Sequence, residues 1–332
     1  MSVTRDRLDD AVLTLRRGGL VAFPTETVYG LGADATSVAA LRRLYAVKGR
    51  PADHPVIVHL PARSTVDATV GPWGAPLTSP ARALAAACWP GPLTLVLRRG
   101  PAVLDEVTGG ADTVGLRVPD QTVAQRLLTS FGDGVAAPSA NRFGQVSPTT
   151  AAHVRADLGG DVDLVLDGGP CRVGVESTIV DCSEDTPVVL RLGGLPRERL
   201  RSILGFLPAV RDDGSRAAPG TRASHYAPRA HVVVAAADDA AARAVTLVTA
   251  GRRVGVLAAA PPAGLPAEIE QLAAPRDVDE FAHELFSLLR RADDDGLDVL
   301  VVVPPPATGV GAAVVDRLVR AAAASSTPGH TR

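Results

Sequence analysis

Lys48 is the only lysine in this chain; every other basic residue in a Lys+Arg total of 34 is arginine. An arginine-biased lineage explains the arginines but not the one position that stayed lysine. Lysine offers a compact ammonium with three rotatable donors and arginine a rigid planar fork, so a site that needs a point charge on phosphate or carboxylate selects lysine. Chance survival of a single lysine would look the same. The neighbours favour chemistry: Lys48-Gly49-Arg50-Pro51 sets two cations beside a glycine and a proline, the marks of a shaped loop, with His54 and His59 following. Two cations on one loop suit a polyphosphate, because phosphoryl and nucleotidyl transfer rest on charge neutralisation and positioning. A lone histidine is more often structural, so His59 by itself says little.

Three further clusters could do related work. Pro24-Thr25-Glu26-Thr27-Val28-Tyr29-Gly30-Leu31-Gly32 follows an apolar run and offers two threonine hydroxyls with backbone amides for a small polar ligand; an ordinary turn with a capping threonine explains it too. Pro138-Ser139-Ala140-Asn141, with Ser147-Pro148-Thr149 opening the next helix, presents short hydroxyl and amide side chains suited to phosphate oxygens. Helix capping alone would account for Ser147. Thr113 and Arg117 stand four apart on one strand and so share a face. Glu176-Ser177-Thr178 lies on another strand, with Arg191 beyond it. Arg117 is a candidate carboxylate clamp or a structural ion-pair partner. There is no Walker loop and no GxGxxG after a strand.

These residues need elements to position them. Leu8, Val12 and Leu15 line one helical face that stops at Gly18-Gly19, and Ser37 caps a helix carrying Val38, Leu41, Leu44 and Tyr45. Buried-strand runs are expected at 20–23, 56–60, 93–97, 114–118, 135–137, 162–166, 177–180 and 188–192. This is a mixed α/β domain over residues 4–200, with a linker over 201–228 whose stretch 211–219 has no periodicity. A small three-layer α/β domain is expected over 229–324, with strands at 232–235, 254–257 and 300–303, and residues 325–332 read as a frayed tail. A length of 332 residues with 21% charged residues fits two packed domains, and the net charge of −2 gives no bulk pull toward nucleic acid or membrane. Cys88, Cys171 and Cys182 lack metal-ligand spacing, so neither a disulfide framework nor a zinc site is expected. With no signal-peptide core at the start and no bilayer-length apolar run, a cytoplasmic protein is expected.

Taken in order, the motifs resemble one family, the YrdC-like threonylcarbamoyl-adenylate synthases in their long, two-domain form. The resemblance is carried by PTETVYGLG at 24–32, KGRP at 48–51, PVIVH at 55–59 and WPGPLTLVL at 89–97. TVGLRVP at 113–119, APSAN at 137–141, SPT at 147–149, DGG at 167–169 and GVESTIVD at 174–181 continue it, and PGTRASHYAP at 219–228 is similar to the segment that marks the long form. It covers essentially the whole chain.

The resemblance implies a twisted mixed-sheet N-terminal domain with a concave cavity, followed by a small Rossmann-like domain. It implies a nucleotidyltransferase that joins L-threonine, bicarbonate and ATP into threonylcarbamoyl-adenylate and pyrophosphate. That product serves the N6-threonylcarbamoyladenosine modification beside the tRNA anticodon, which a separate transferase completes. Thr25, His59, Arg117, the backbone at Ala137 and Ser177 would hold threonine. Lys48, Arg50, Thr113, Ser139, Asn141, Ser147 and Arg191 would hold ATP, with Lys48 and Arg50 as the catalytic cations. His225 and Tyr226 would close over the nucleotide from the linker, with residues 215–228 acting as a lid. Mg²⁺ would come with ATP and need few protein ligands. Two departures stand out: His54 replaces the family's usual asparagine, and Arg142-Phe143-Gly144 replaces a small, Ser-containing stretch. A carbamoyl-adenylate former of the hydrogenase-maturation type would need zinc-finger and acylphosphatase regions that this chain lacks. A double-stranded RNA or tRNA-binding module would be salt-sensitive and charge-driven, which the overall acidity disfavours.

Overall fold

The structure, a computed structural model, describes residues 3–211 and 226–325. The chain divides into two units, one of residues 1–143 and 147–221, the other of 144–146 and 222–332. In the first unit the strands are β1 (Val21–Phe23), β2 (Gly30–Asp34), β3 (Val58–His59), β4 (Leu93–Arg98), β5 (Thr113–Arg117), β6 (Val135–Ala136), β7 (Leu164–Val165), β8 (Thr178–Asp181) and β9 (Val188–Arg191). They form a nine-stranded mixed sheet in the order β7-β1-β2-β6-β3-β5-β4-β8-β9. Its helices are α1 (Arg5–Arg16), α2 (Val38–Lys48), α3 (Val66–Val70), α4 (Ser79–Cys88), α5 (Asp105–Thr108), α6 (Thr122–Phe131), α7 (Ala151–Leu158) and α8 (Arg197–Leu204). Helix α8 runs across residue 200, where the sequence reading ends the first domain.

Side-chain alternation separates the chemistry from the core. In β5, Val114 and Leu116 enter the main core with Val58 and Leu95, and the residues between them, Thr113, Gly115 and Arg117, face the other way. A second core lies between α1 and α6, where Leu8, Ala11, Val12 and Leu15 meet Leu127, Leu128 and Phe131 beside Phe23 and Val135. Each fully buried Leu or Phe there stabilises the unit by about 1.5–3 kcal/mol relative to leaving it in water.

Strand β2 is absent from the sequence reading, which places residues 24–32 in a loop. Glycine hides it: a Cβ on Gly32 would stand 2.9 Å from both Phe23 Cε1 and Val135 Cγ1, so the close strand approach needs a residue of low strand propensity. The helix expected to open at Ser147 begins instead at Ala151, capped by Thr150, whose hydroxyl accepts from His153 N at 3.2 Å.

The second unit holds β10 (His231–Val234), α9 (Ala240–Thr249), β11 (Val254–Leu257), β12 (Glu270–Ala273), α10 (Val278–Asp294), β13 (Val299–Val302) and α11 (Gly311–Ser325). Its strands are all parallel, in the order β10-β13-β11-β12. Val299 and Val301 pack with Ala240 and Ala244 of α9, so Leu300 and Val302 point to the opposite face, the α10/α11 side. Every residue of β11 and β13 is buried, as parallel strands covered on both faces require. Strand β12 is not among the strands expected from sequence; it is an edge strand with one fully buried residue, Leu272, too little for a periodic signal. No helix among the described residues is long and apolar enough to cross a membrane.

Candidate functional site

The site is built on the face of the first sheet opposite its main core. Direct register places His59 of β3 beside Arg117 of β5, and Arg117 beside Thr94 of β4. Cross-strand partners point to the same side, so these three make a polar row across the sheet. Thr94 Oγ1 lies 2.8 Å from Ser177 Oγ, just ahead of β8. Ser177 is also held by Arg191 of β9, whose Nη2 donates to its hydroxyl at 3.0 Å and to its carbonyl at 2.9 Å, with Nε on the same carbonyl at 3.1 Å.

Arg117 has a buried carboxylate partner of its own. Its Nη2 donates to Glu26 Oε1 at 2.7 Å and to Thr27 Oγ1 at 2.8 Å, while Glu26 Oε2 accepts from Asp120 N at 3.0 Å. Thr25 Oγ1 stands 2.8 Å from Thr27 Oγ1, contacts Val28 O at 2.6 Å, and accepts from the amides of Thr27 and Val28. The structural ion pair that the sequence left open is therefore present. It leaves Arg117 Nε and His59 Nδ1 as buried atoms with no hydrogen-bond partner among the described residues. Burial, with the Arg117 cation second, pulls the His59 pKa down to about 3; the carbonyls of Ile57 and Val135 offset this only in part. His59 is a neutral imidazole at physiological pH.

Lys48 ends α2. The helix starts at Ser37, whose hydroxyl accepts from Ala40 N at 3.3 Å, and it stops at Gly49, where φ of 63° gives the left-handed cap glycine tolerates. That stop aims Lys48 at the 137–141 strap: its Nζ donates to Ser139 O and Asn141 O, both at 2.5 Å. Burial drives the Lys48 pKa well below its ordinary value, and the Arg50 and Arg142 cations push the same way. The lone lysine thus also fastens a loop, a role its chemistry as a point charge did not announce. Arg50 is anchored by its Nε on His54 O at 3.3 Å and its Nη2 on Pro55 O at 2.8 Å.

Other expected residues sit as follows. Ala137 gives its N–H to Ile57 O at 2.9 Å, tying the strap to the residue before β3. Ser147 is fully buried and donates to Glu176 Oε1 at 2.7 Å, and Asn141 Nδ2 donates to Arg142 O at 2.8 Å. Ser139 and Thr113 are half-buried. Tyr226 belongs to the second unit, where its ring stacks on Phe286 with centroids 5.6 Å apart and the Arg317 guanidinium lies 5.0 Å above it. His225 and residues 215–225 of the expected lid lie outside the described residues.

The sequence reading assigned no role to Thr94, Glu26 or Glu176. Thr94 had a signal, as the one polar residue inside the apolar run Leu93–Leu97. The glutamates had none, because only the folded chain shows that their partners are buried with them. Among the described residues no group of three or more His, Cys, Asp or Glu could hold a metal ion, and Cys88, Cys171 and Cys182 are free and buried.

Residues 13–193 match the Sua5/YciO/YrdC family model, described as telomere recombination, and residues 195–323 match the model of the threonylcarbamoyl-AMP synthase C-terminal domain. A threonylcarbamoyl-AMP synthase of Pyrococcus abyssi is 40% identical over 92% of this chain and 91% of its own. One from Bacillus subtilis is 38% identical over 97% and 94%. The crystal structure of the P. abyssi Sua5 complexed with L-threonine superposes with a TM-score of 0.90 at 37% identity, covering 98% of this chain and 96% of that one. From its polar sheet face to its second domain, the chain belongs to the two-domain Sua5/YrdC family of threonylcarbamoyl-AMP synthases.

Proposed function

We propose that this chain condenses L-threonine, bicarbonate and ATP into threonylcarbamoyl-adenylate, releasing pyrophosphate and water. The observation that carries the reading is the buried row His59–Arg117–Thr94–Ser177, a polar surface on a sheet whose other face is apolar core. Burying that much polarity is unfavourable unless it is hydrogen-bonded, and among the described residues Arg117 Nε and His59 Nδ1 are buried without a hydrogen-bond partner. A substrate carboxylate would accept from Arg117, whose ion pair with Glu26 fixes its orientation beforehand. Neutral His59 adds no positive charge there to compete with Arg117 for the substrate carboxylate.

Nucleotidyl transfer follows. The carbamate oxygen attacks the α-phosphorus, and pyrophosphate leaves in line. No step needs a protein nucleophile, so positioning and charge supply the rate. Lys48 is hydrogen-bonded to the strap that carries Ser139 and Asn141, and Arg50 stands two residues further along the chain. A protonated Lys48 has three donors, two of them on carbonyls, and a polyphosphate arriving beside it would favour that form. Mg²⁺ would be held by the phosphates themselves; the site's hydroxyls, carbonyls and cations suit that arrangement better than a carboxylate cage. The product then passes to a separate transferase that acts on tRNA.

The test is pyrophosphate release from ATP, bicarbonate and Mg²⁺ with and without L-threonine. Release should depend on threonine and fall about a hundredfold or more in Lys48→Ala. Release indifferent to threonine would overturn the reading.

A further inference from the structure

His54 and Phe143 are far apart in sequence and meet in the fold. Their ring centroids are 5.5 Å apart at an angle of 59°. The guanidinium of Arg50 stands over the same Phe143 ring, its Cζ 5.8 Å from the centroid, within cation–π range. Arg50 also donates to the backbone of that same turn: Nε to His54 O and Nη2 to Pro55 O. The turn is itself fixed, with His54 N on Pro51 O at 3.1 Å and the Tyr45 hydroxyl on His54 O at 2.8 Å. Phe143 joins in by its backbone as well, its N–H donating to Lys48 O at 2.8 Å.

Each half of this arrangement needs the other. An asparagine at 54 has no ring to set against Phe143, and a serine at 143 has no face for Arg50. A guanidinium gripped at its edge by carbonyls and covered on its face by an aromatic ring is confined to one orientation, which lowers the entropy lost when a phosphate binds it. Phe143 is only half-buried, and its ring meets both His54 and Arg50.

We propose that His54 and Phe143 are a matched pair of positioning residues that hold the Arg50 guanidinium ready for the nucleotide. The proposal rests on the reading that Arg50 binds ATP. It concerns nucleotide affinity and not the threonine half of the site.

Equilibrium binding of ATP with Mg²⁺ and steady-state pyrophosphate release should be measured for wild type, Phe143→Ser, Phe143→Leu, Phe143→Tyr, His54→Asn and the double variant His54→Asn/Phe143→Ser. Phe143→Ser should weaken ATP binding and raise its KM by about five- to tenfold, leaving the KM for threonine within about twofold. Phe143→Leu keeps the bulk without the aromatic face and should share the loss, whereas Phe143→Tyr should restore wild-type values. His54→Asn should cost about threefold alone and nothing further in the Phe143→Ser background, the signature of coupled residues. Thermal melts identify a misfolded variant, and Phe143→Leu then stands in for Phe143→Ser. ATP affinity unchanged in the Leu variant, both KM values rising together, or independent effects in the double variant would each overturn the proposal. Wild type that binds ATP but releases no threonine-dependent pyrophosphate would sink the functional reading alone, since the binding arm still decides this one. Wild type that binds no ATP would sink both.

Discussion

The two sheets of this chain treat buried polarity in opposite ways. Among the described residues, the buried polar and charged side chains all lie in the first unit except Arg317. The second unit is built as a parallel sheet ordinarily is, apolar on both faces. Its cleft of about 630 Å³ lies at the carboxyl ends of the strands, where α/β folds place their ligands, yet alanines and prolines line most of it. Of the charged groups at that cleft, Arg276 is tied to Glu280 at 2.8 Å. The contrast shows that a site is not a property of the architecture. It is a place where the sequence accepts the cost of burying Arg117, Glu26, His59 and Lys48 and offsets it with hydrogen bonds.

Substitutions should therefore act differently in the two units. The largest effect is expected for Arg117→Met, which strands Glu26 as a buried, unpaired carboxylate; about 3–5 kcal/mol of stability should be lost in chemical denaturation, together with threonine-dependent turnover. A counterpart in the second unit, Leu300→Ala, should cost about 2–4 kcal/mol through the cavity it leaves, with the KM for both substrates unchanged. A change in either KM would break the comparison, because it would give the apolar sheet a share in the site.

A third effect, graded with pH, is expected from His59. Its pKa is about 3 in the folded chain against an ordinary 6.5, so between those values the unfolded chain binds the proton and the folded chain does not. Stability from this residue is therefore complete above about pH 6.5 and is lost as pH falls toward 3, by roughly 1.4 kcal/mol per pH unit. Replacing His59 with phenylalanine should remove that slope from a series of denaturation curves. An unchanged slope would mean that the imidazole is hydrated in the folded state.

Much of this was legible in the chain itself. Alternation in Thr113–Arg117 and Leu93–Leu97 announces strands with one committed face, and the 3.6-residue pattern of Leu8, Val12 and Leu15 announces α1. The serine at 37 announces the start of α2, but Lys48, read from sequence as part of a loop with Gly49-Arg50-Pro51, is the last residue of that helix. Such signals are local, carried by residues within a turn or a strand of each other.

What the sequence could not hold is which distant residues share a partner. Glu26 lies 91 positions from the Arg117 it neutralises, and Lys48 lies 91 and 93 from the carbonyls it binds. Strand β2 is disguised by the glycines that its close approach to Phe23 demands. The chain's own pattern determined most of its strands, the start of α2 and the residue types of a candidate phosphate- and carboxylate-binding surface. Tertiary structure alone decided that Arg117 is paired, that His59 is neutral, and that Lys48 fastens the strap, because charge state and pairing depend on burial and on neighbours that only the folded sheet brings within hydrogen-bonding distance.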